Sequence, residues 1–215
     1  MPSLTARHFF MPSSANIPIR DVEFAAIDFE SAGARRGETD EPVQIGIVIG
    51  TMNEGITDHF VSYIKPQKEV MWQASRVHGI TTDSLQDAPS FLSLWPQIHS
   101  RLNNRVLVAH SAGTEKKFLR AFPGHKFTSW VDTLTLAKAA LPDLPKHRLG
   151  ELLPYLGTEF ADHPINQGRQ WHDALYDAAA SFFFVKTLVA SLDLYDAPMS
   201  ILLQPNTQKY HALKK

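Results

Sequence analysis

The chain has 215 residues, 44% of them hydrophobic, no cysteine and a net charge of −1. That length and apolar content fit one domain with a substantial core, and the lack of cysteine excludes disulfides and thiolate metal sites, leaving oxygen and imidazole as metal donors. Near-neutral charge limits any grip on a phosphate backbone to a local patch, and without a disulfide framework or a long apolar run the chain reads as soluble and cytoplasmic, with no membrane partner.

Residues 1–20, with Pro2, Pro12 and Pro18 and no periodicity, read as an extended leader. The stretch Phe24-Ala25-Ala26-Ile27-Asp28-Phe29-Glu30 is apolar on both faces except for its two acids, the pattern of a strand buried inside a sheet. Val43 to Ile49 alternates as a second strand, Asn53-Glu54-Gly55 makes a turn, and Asp58 to Ile64 gives a third, so an antiparallel meander is expected. The period then changes. Residues 89–102 repeat at helical spacing and Arg105 to His110 is a short apolar run of the kind found in covered parallel strands. A helix over 116–122, a strand over 128–133, helices over 134–140 and 149–156, a polar loop over 158–171 and a helix over 173–192 follow. A mixed sheet covered by helices is expected over residues 21–193, with 194–215 as a loosely held tail.

Asp28 and Glu30 lie two apart on a strand and so share a face. Two such charges at ~4 Å repel by about 4 kcal/mol at an effective dielectric near 20, so the pair stays ionised only with a cation between them. The same acid-x-acid pattern at Asp21/Glu23 and Glu38/Asp40 sits among turn-forming residues and reads as solvated surface. Glu115 falls at i, i+3, i+4 and i+7 with Phe118, Leu119 and Phe122, in the first turn of its helix, where the helix dipole favours an anion. It either projects toward the end of the sheet or completes a cap begun by Ser111 or Thr114. Asp177 shares a face with Ala174, Ala178 and Ser181, where an unpartnered carboxylate costs several kcal/mol. A cation at the end of the sheet answers that cost, and so does a salt bridge to Arg148 or Arg169. His172, five residues before Asp177, would point ~140° away on a continuous helix, which favours a place at the loop edge for it. With 10 histidines in the chain a surface role is the ordinary reading for any one of them.

Four segments together resemble the DEDDh family of 3′-to-5′ exonucleases, the group that includes the proofreading epsilon subunit of bacterial DNA polymerase III. They are Asp28-Phe29-Glu30 with Pro42 to Val48, Val77-His78-Gly79-Ile80-Thr81, Val108 to Leu119 including Glu115, and His172-Asp173-Ala174-Leu175-Tyr176-Asp177. Asp132-Thr133-Leu134 and Arg148-Leu149 to Gly157 also fit. The similarity spans about residues 22–190, in order. One departure stands out: the family has phenylalanine-aspartate at Thr114-Glu115, and often asparagine at Ser111. Glutamate is one methylene longer, which alters how the second motif reaches its metal.

The resemblance implies a ribonuclease H-like fold, an α/β arrangement with a mixed five-stranded sheet, antiparallel meander then parallel strands, covered by helices. It implies two Mg²⁺ or Mn²⁺ ions held by Asp28, Glu30, Glu115 and Asp177, with His172 as general base, and hydrolysis of the terminal phosphodiester of DNA or RNA to nucleoside 5′-monophosphates. The partner is then a single-stranded or frayed 3′ end, with a polymerase partner left open. Phe29, His78 and Trp171 are candidates for holding the terminal nucleotide, each with core packing as an alternative. The clusters Lys116/Lys117/Arg120/Lys126 and Lys146/His147/Arg148 either touch phosphates or are solvated helix faces. Two other readings remain open: a catalytically weakened binding module of the same fold, and an endonuclease of ribonuclease H type that makes internal cuts without His172.

Overall fold

A computed structural model describes residues 14–158 and 160–213. Its sheet has five strands, β1 (Glu23–Ser31), β2 (Pro42–Thr51), β3 (Gly55–Tyr63), β4 (Val106–Ala109) and β5 (Trp130–Asp132). They lie in the order β3-β2-β1-β4-β5. β1 pairs antiparallel with β2 and β2 with β3, while β4 runs parallel to β1 and to β5. The ribonuclease H-like mixed sheet expected from the sequence is borne out.

Alternation along β1 divides the core in two. Phe24 and Ala26 face one side with Val48 of β2, under helix α6 (Ala174–Ser191). Ala25, Ile27 and Phe29 face the other with Ile45, Ile47 and Ile49, under α2 (Phe91–Leu102) and α3 (Gly113–Leu119). α6 is apolar and long enough to cross a membrane by length and composition. Here it is the core helix, with the sheet on one side and α4 (Thr133–Ala140) and α5 (Leu149–Tyr155) on the other, which accounts for apolar residues all round it.

Glycines set how closely α6 approaches. A Cβ on Gly46 would overlap the backbone of Ala174 and Leu175, so the first turn of α6 rests directly on β2. Residues 17–20 and 195–199 meet through backbone hydrogen bonds. The N–H groups of Ile19 and Arg20 donate to the carbonyls of Ala197 and Tyr195 at 3.0 and 2.9 Å, and Met199 N–H donates to Ile17 O at 2.9 Å.

Two expectations do not match the structure, and one helix has no counterpart in them. Residues 1–13 of the expected leader lie outside the described residues, but residues 14–20 are folded into two short 3₁₀ turns, and Ile19 is buried. Residues 196–213 are not a loose tail: α7 (Ser200–Leu203) and α8 (Thr207–Leu213) dock on the fold, with Tyr210 buried and its hydroxyl donating to Ile201 O at 2.9 Å. Helix α1 (Trp72–His78) was not expected; none of its residues is buried, so it has no apolar stripe to announce it.

Candidate active site

β4 ends at Ala109, and its register stops at Ala26↔Val108, so β1 continues past it toward its C-terminal end. There Asp28 and Glu30 point to the α6 face, opposite Gly46 and Gln44 of β2. The missing side chain at Gly46 gives α6 its close approach, and Gln44 anchors it. Gln44 is 4% exposed. Its Oε1 accepts the N–H of Ala174 at 2.9 Å, and its Nε2 donates to Asp173 Oδ2 at 3.1 Å. Asp173 in turn caps α6 by accepting from the N–H groups of Leu175 and Tyr176 at 3.1 and 3.2 Å.

One turn into α6, Asp177 accepts the His172 N–H on Oδ2 at 3.2 Å, while its buried Oδ1 has no hydrogen-bond partner among the described residues. The salt bridge considered for Asp177 goes elsewhere, since Arg169 pairs with Asp173 at 3.0 Å. His172 precedes the helix, is exposed and has a left-handed φ of 68°. That conformation turns its amide toward Asp177 and leaves its ring at the loop edge, where a ring nitrogen and oxygens of Glu30 and Asp177 all lie within 4.8 Å of one another.

Glu115 reaches the same end of the sheet from α3, the helix on its other face. It is 3% exposed, and its buried Oε2 has no hydrogen-bond partner among the described residues. The capping alternative does not hold, because no side chain caps α3. Its entry loop is held by Asp132, which accepts the N–H groups of Ser111 and Ala112 at 3.3 and 3.1 Å and also caps α4 through Leu134 and Thr135 at 3.0 and 3.1 Å. One carboxylate thus fastens β5, α4 and the approach to Glu115 together.

The electrostatics report the convergence. Burial, then the charges of Asp177, Glu115 and Glu30, push Asp28 well above the carboxylate range. Burial, then Asp177, Asp173 and Glu115, raise Glu30 to about 8. Burial first also lifts Glu115 and Asp177, each to about 7. Four acids from three chain segments therefore share one low-dielectric end of the sheet and oppose each other's ionisation. Orphaned buried oxygens on Glu115 and Asp177, and an oxygen-rich set with one imidazole, fit a hard divalent cation.

The three nucleotide-holding candidates are placed differently. Phe29 is buried edge-on against Phe91 and Phe118, at 5.7 and 5.4 Å between ring centroids. His78 accepts the Ile80 N–H on Nδ1 at 3.0 Å, so its Nε2 donates to Ser31 O at 3.1 Å, which ties α1 to the residue after Glu30. Trp171 is 37% exposed and packs edge-on to Tyr176 at 4.9 Å. The basic residues separate: Lys116 lies 5.1 Å over Trp130, Lys117 and Arg120 border one groove, Lys126 another, and Lys146 pairs with Glu151 at 3.5 Å. Gln44, Asp132 and Asp173 had not been singled out as site residues. For Gln44 a signal was present, a lone amide in an otherwise apolar strand.

A ribonuclease H-like sheet with acids converging beside the end of its central strand is the architecture of a metal-dependent nuclease. The RNase_T exonuclease family matches residues 25–182, and the chain belongs to that family. The DEDDh resemblance read from the motifs is borne out. Among relatives, a DNA polymerase III PolC-type protein of Oceanobacillus iheyensis is 33% identical over 142 residues, 64% of this chain but 9% of that protein's length. The DNA polymerase III subunit epsilon of Rickettsia typhi is 28% identical over 163 residues, covering 71% of this chain and 68% of the relative. The chain thus spans a small part of the PolC-type relatives and about two thirds of the epsilon subunits. In fold, exonuclease X in complex with 5′ overhanging duplex DNA aligns with a TM-score of 0.66 at 22% identity, over 84% of this chain and 99% of that one. The nuclease domain of 3′hExo, a DEDDh family member bound to rAMP, aligns at 0.65 and 17% identity, over 79% and 92%.

Proposed function

We propose that this exonuclease hydrolyses the terminal phosphodiester at a single-stranded or frayed 3′ end and releases nucleoside 5′-monophosphates. The observation that carries this is the meeting of Asp28, Glu30, Glu115 and Asp177, with raised pKa values and two orphaned oxygens, beside His172. Mg²⁺ or Mn²⁺ fits the oxygen-rich donor set, with Asp28, Glu30 and Asp177 holding one ion and Asp28 with Glu115 a second. When bound, such ions polarise the phosphoryl oxygens and neutralise charge on the attacking and leaving oxygens.

The remaining work belongs to side chains. His172, whose ring nitrogen lies within 4.8 Å of oxygens of Glu30 and Asp177, accepts a proton from the attacking water. Asp177 also orients His172 through the backbone N–H it accepts. Trp171, the most exposed of the three nucleotide-holding candidates, contacts the terminal nucleotide, with the backbone of Phe29 and the edge of His78 lining its pocket. Similarity to polymerase III proteins supports a cytoplasmic role alongside a replicative polymerase, and co-purification with such a subunit tests that part.

A 5′-labelled oligonucleotide with Mg²⁺ or Mn²⁺ tests the reaction. A ladder shortening from the 3′ end is expected, and Asp177→Asn slows it by ~10²–10³-fold, on the scale of a lost electrostatic group. An intact but bound strand instead supports the weakened binding module, and internal cuts support the endonuclease reading. Matched DNA and RNA strands measure the sugar preference.

A further inference from the structure

Helix α1 carries an aromatic residue that neither the core nor the reaction uses. Trp72 is 66% exposed. The Arg76 guanidinium lies 4.7 Å over its ring, a cation–π pair that holds the indole in one orientation. Among the described residues neither the Arg76 nor the Arg35 guanidinium has a carboxylate partner. Trp72, Arg35, Lys68 and Gly33 border a groove of about 730 Å³. Glu38 and Glu69 border it too, and Glu38 is neutralised by Lys68 at 3.8 Å.

The position of α1 is tied to the active site by its two ends. Met71 N–H donates to Ala32 O at 2.8 Å and His78 donates to Ser31 O, so α1 is fastened to the residues that follow Glu30 on β1. Gly33 packs against Met71 and Ala74, which seats the helix closely there. At the C-terminal end of α1, burial and then proximity to His172 lower the His78 pKa, which sets that end beside the site. Trp72 is at the other end, about 9 Å along the axis from His78 at ~1.5 Å per residue. Stacked nucleotides rise about 3.4 Å each, so that distance corresponds to two or three nucleotides.

We propose that Trp72 and Arg76 form a stacking step for the single strand entering the site, the indole taking a base two or three nucleotides from the reacting 3′ end and the guanidinium an adjacent phosphate. This rests on the nuclease reading above and extends it along the strand. Base–aromatic stacking has no strong sequence preference and serves DNA and RNA alike. Exposed Arg35 adds charge to the same path, as an electrostatic groove does for single strands.

Polarisation of 5′-fluorescein octathymidylate in Ca²⁺ buffer tests the step without turnover. Trp72→Ala binds about tenfold more weakly than wild type, within the range for loss of one stacked base. Trp72→Phe stays within about threefold, and Arg76→Ala weakens binding with a shallower salt dependence. Hydrolysis of the nitrophenyl ester of thymidine 5′-monophosphate, too short to reach Trp72, proceeds equally in wild type and Trp72→Ala, which also shows that the variant is folded. Equal octathymidylate affinities for wild type and Trp72→Ala overturn the proposal, as does absence of binding by wild type. Failure of the wild type to hydrolyse ester and oligonucleotide overturns the nuclease reading instead, and the affinity comparison still judges the stacking step.

Discussion

Glu30, Glu115 and Asp177, with pKa values of about 8, 7 and 7, stay protonated in the folded protein at pH values where an unfolded chain has ionised them. Between the unfolded values near 4 and these folded values, the native state binds more protons than the unfolded one, so stability falls as pH rises through that window. A tenfold difference in proton affinity between the two states corresponds to about 1.4 kcal/mol, and solvent and mutual coupling reduce the sum, so a net loss of about 2–3 kcal/mol is expected. In thermal melts in EDTA, Tm then drops by roughly 5–10 °C from pH 5 to pH 8. Glu115→Gln and Asp177→Asn flatten that slope, and millimolar Mn²⁺ restores Tm at pH 8 in the wild type but less in either variant. A flat Tm profile for the metal-free wild type would show that these acids are better solvated than their surroundings indicate.

At the scale of elements, the site is set by how α6 meets β2. Gly46→Ala forces a methyl group into the backbone of Ala174 and Leu175. Overpacking of this kind costs about 1–3 kcal/mol, and because the displaced turn carries Asp177 and follows His172, oligonucleotide hydrolysis falls at least tenfold at temperatures where the variant remains folded. Gly150→Ala is the matched control. Its methyl group meets Trp171 at an ordinary 3.5 Å within α5, and alanine in place of a helical glycine gains up to about 1 kcal/mol. Circular dichroism melts and rate measurements should therefore both fall for Gly46→Ala, whereas Gly150→Ala leaves the rate level and the melting temperature level or higher.

Across the whole molecule, the described parts of the terminal segments, residues 14–22 and 194–213, belong to the folded unit. Tyr210 is buried where α8 meets α4, and its hydroxyl is bonded to Ile201 O. Tyr210→Ala is expected to cost about 3–5 kcal/mol, as for other large buried rings, and Tyr210→Phe about 1 kcal/mol for one hydrogen bond. Urea titrations measure both; a Tyr210→Ala midpoint equal to wild type would mean that α8 is not docked in solution. Rates on oligonucleotide well below the melting temperature should be unchanged, since this contact lies apart from the acids.

The five strands, the helices α2 to α6, their order, and the acids Asp28, Glu30, Glu115 and Asp177 were legible in the linear chain, because alternation and helical spacing are local and a carboxylate on an apolar face is conspicuous. Local pattern could not supply what depends on contacts between distant segments. Only the tertiary structure joins Glu115, from one face of the sheet, with Asp177, from the other. It alone assigns Arg169 to Asp173, so that Asp177 has no arginine or lysine partner among the described residues, and makes Gln44 the anchor of α6. α1 and α8 were missed for the same physical reason: short helices with few buried residues take their shape from the surfaces they rest on, and those surfaces exist only once the chain has folded.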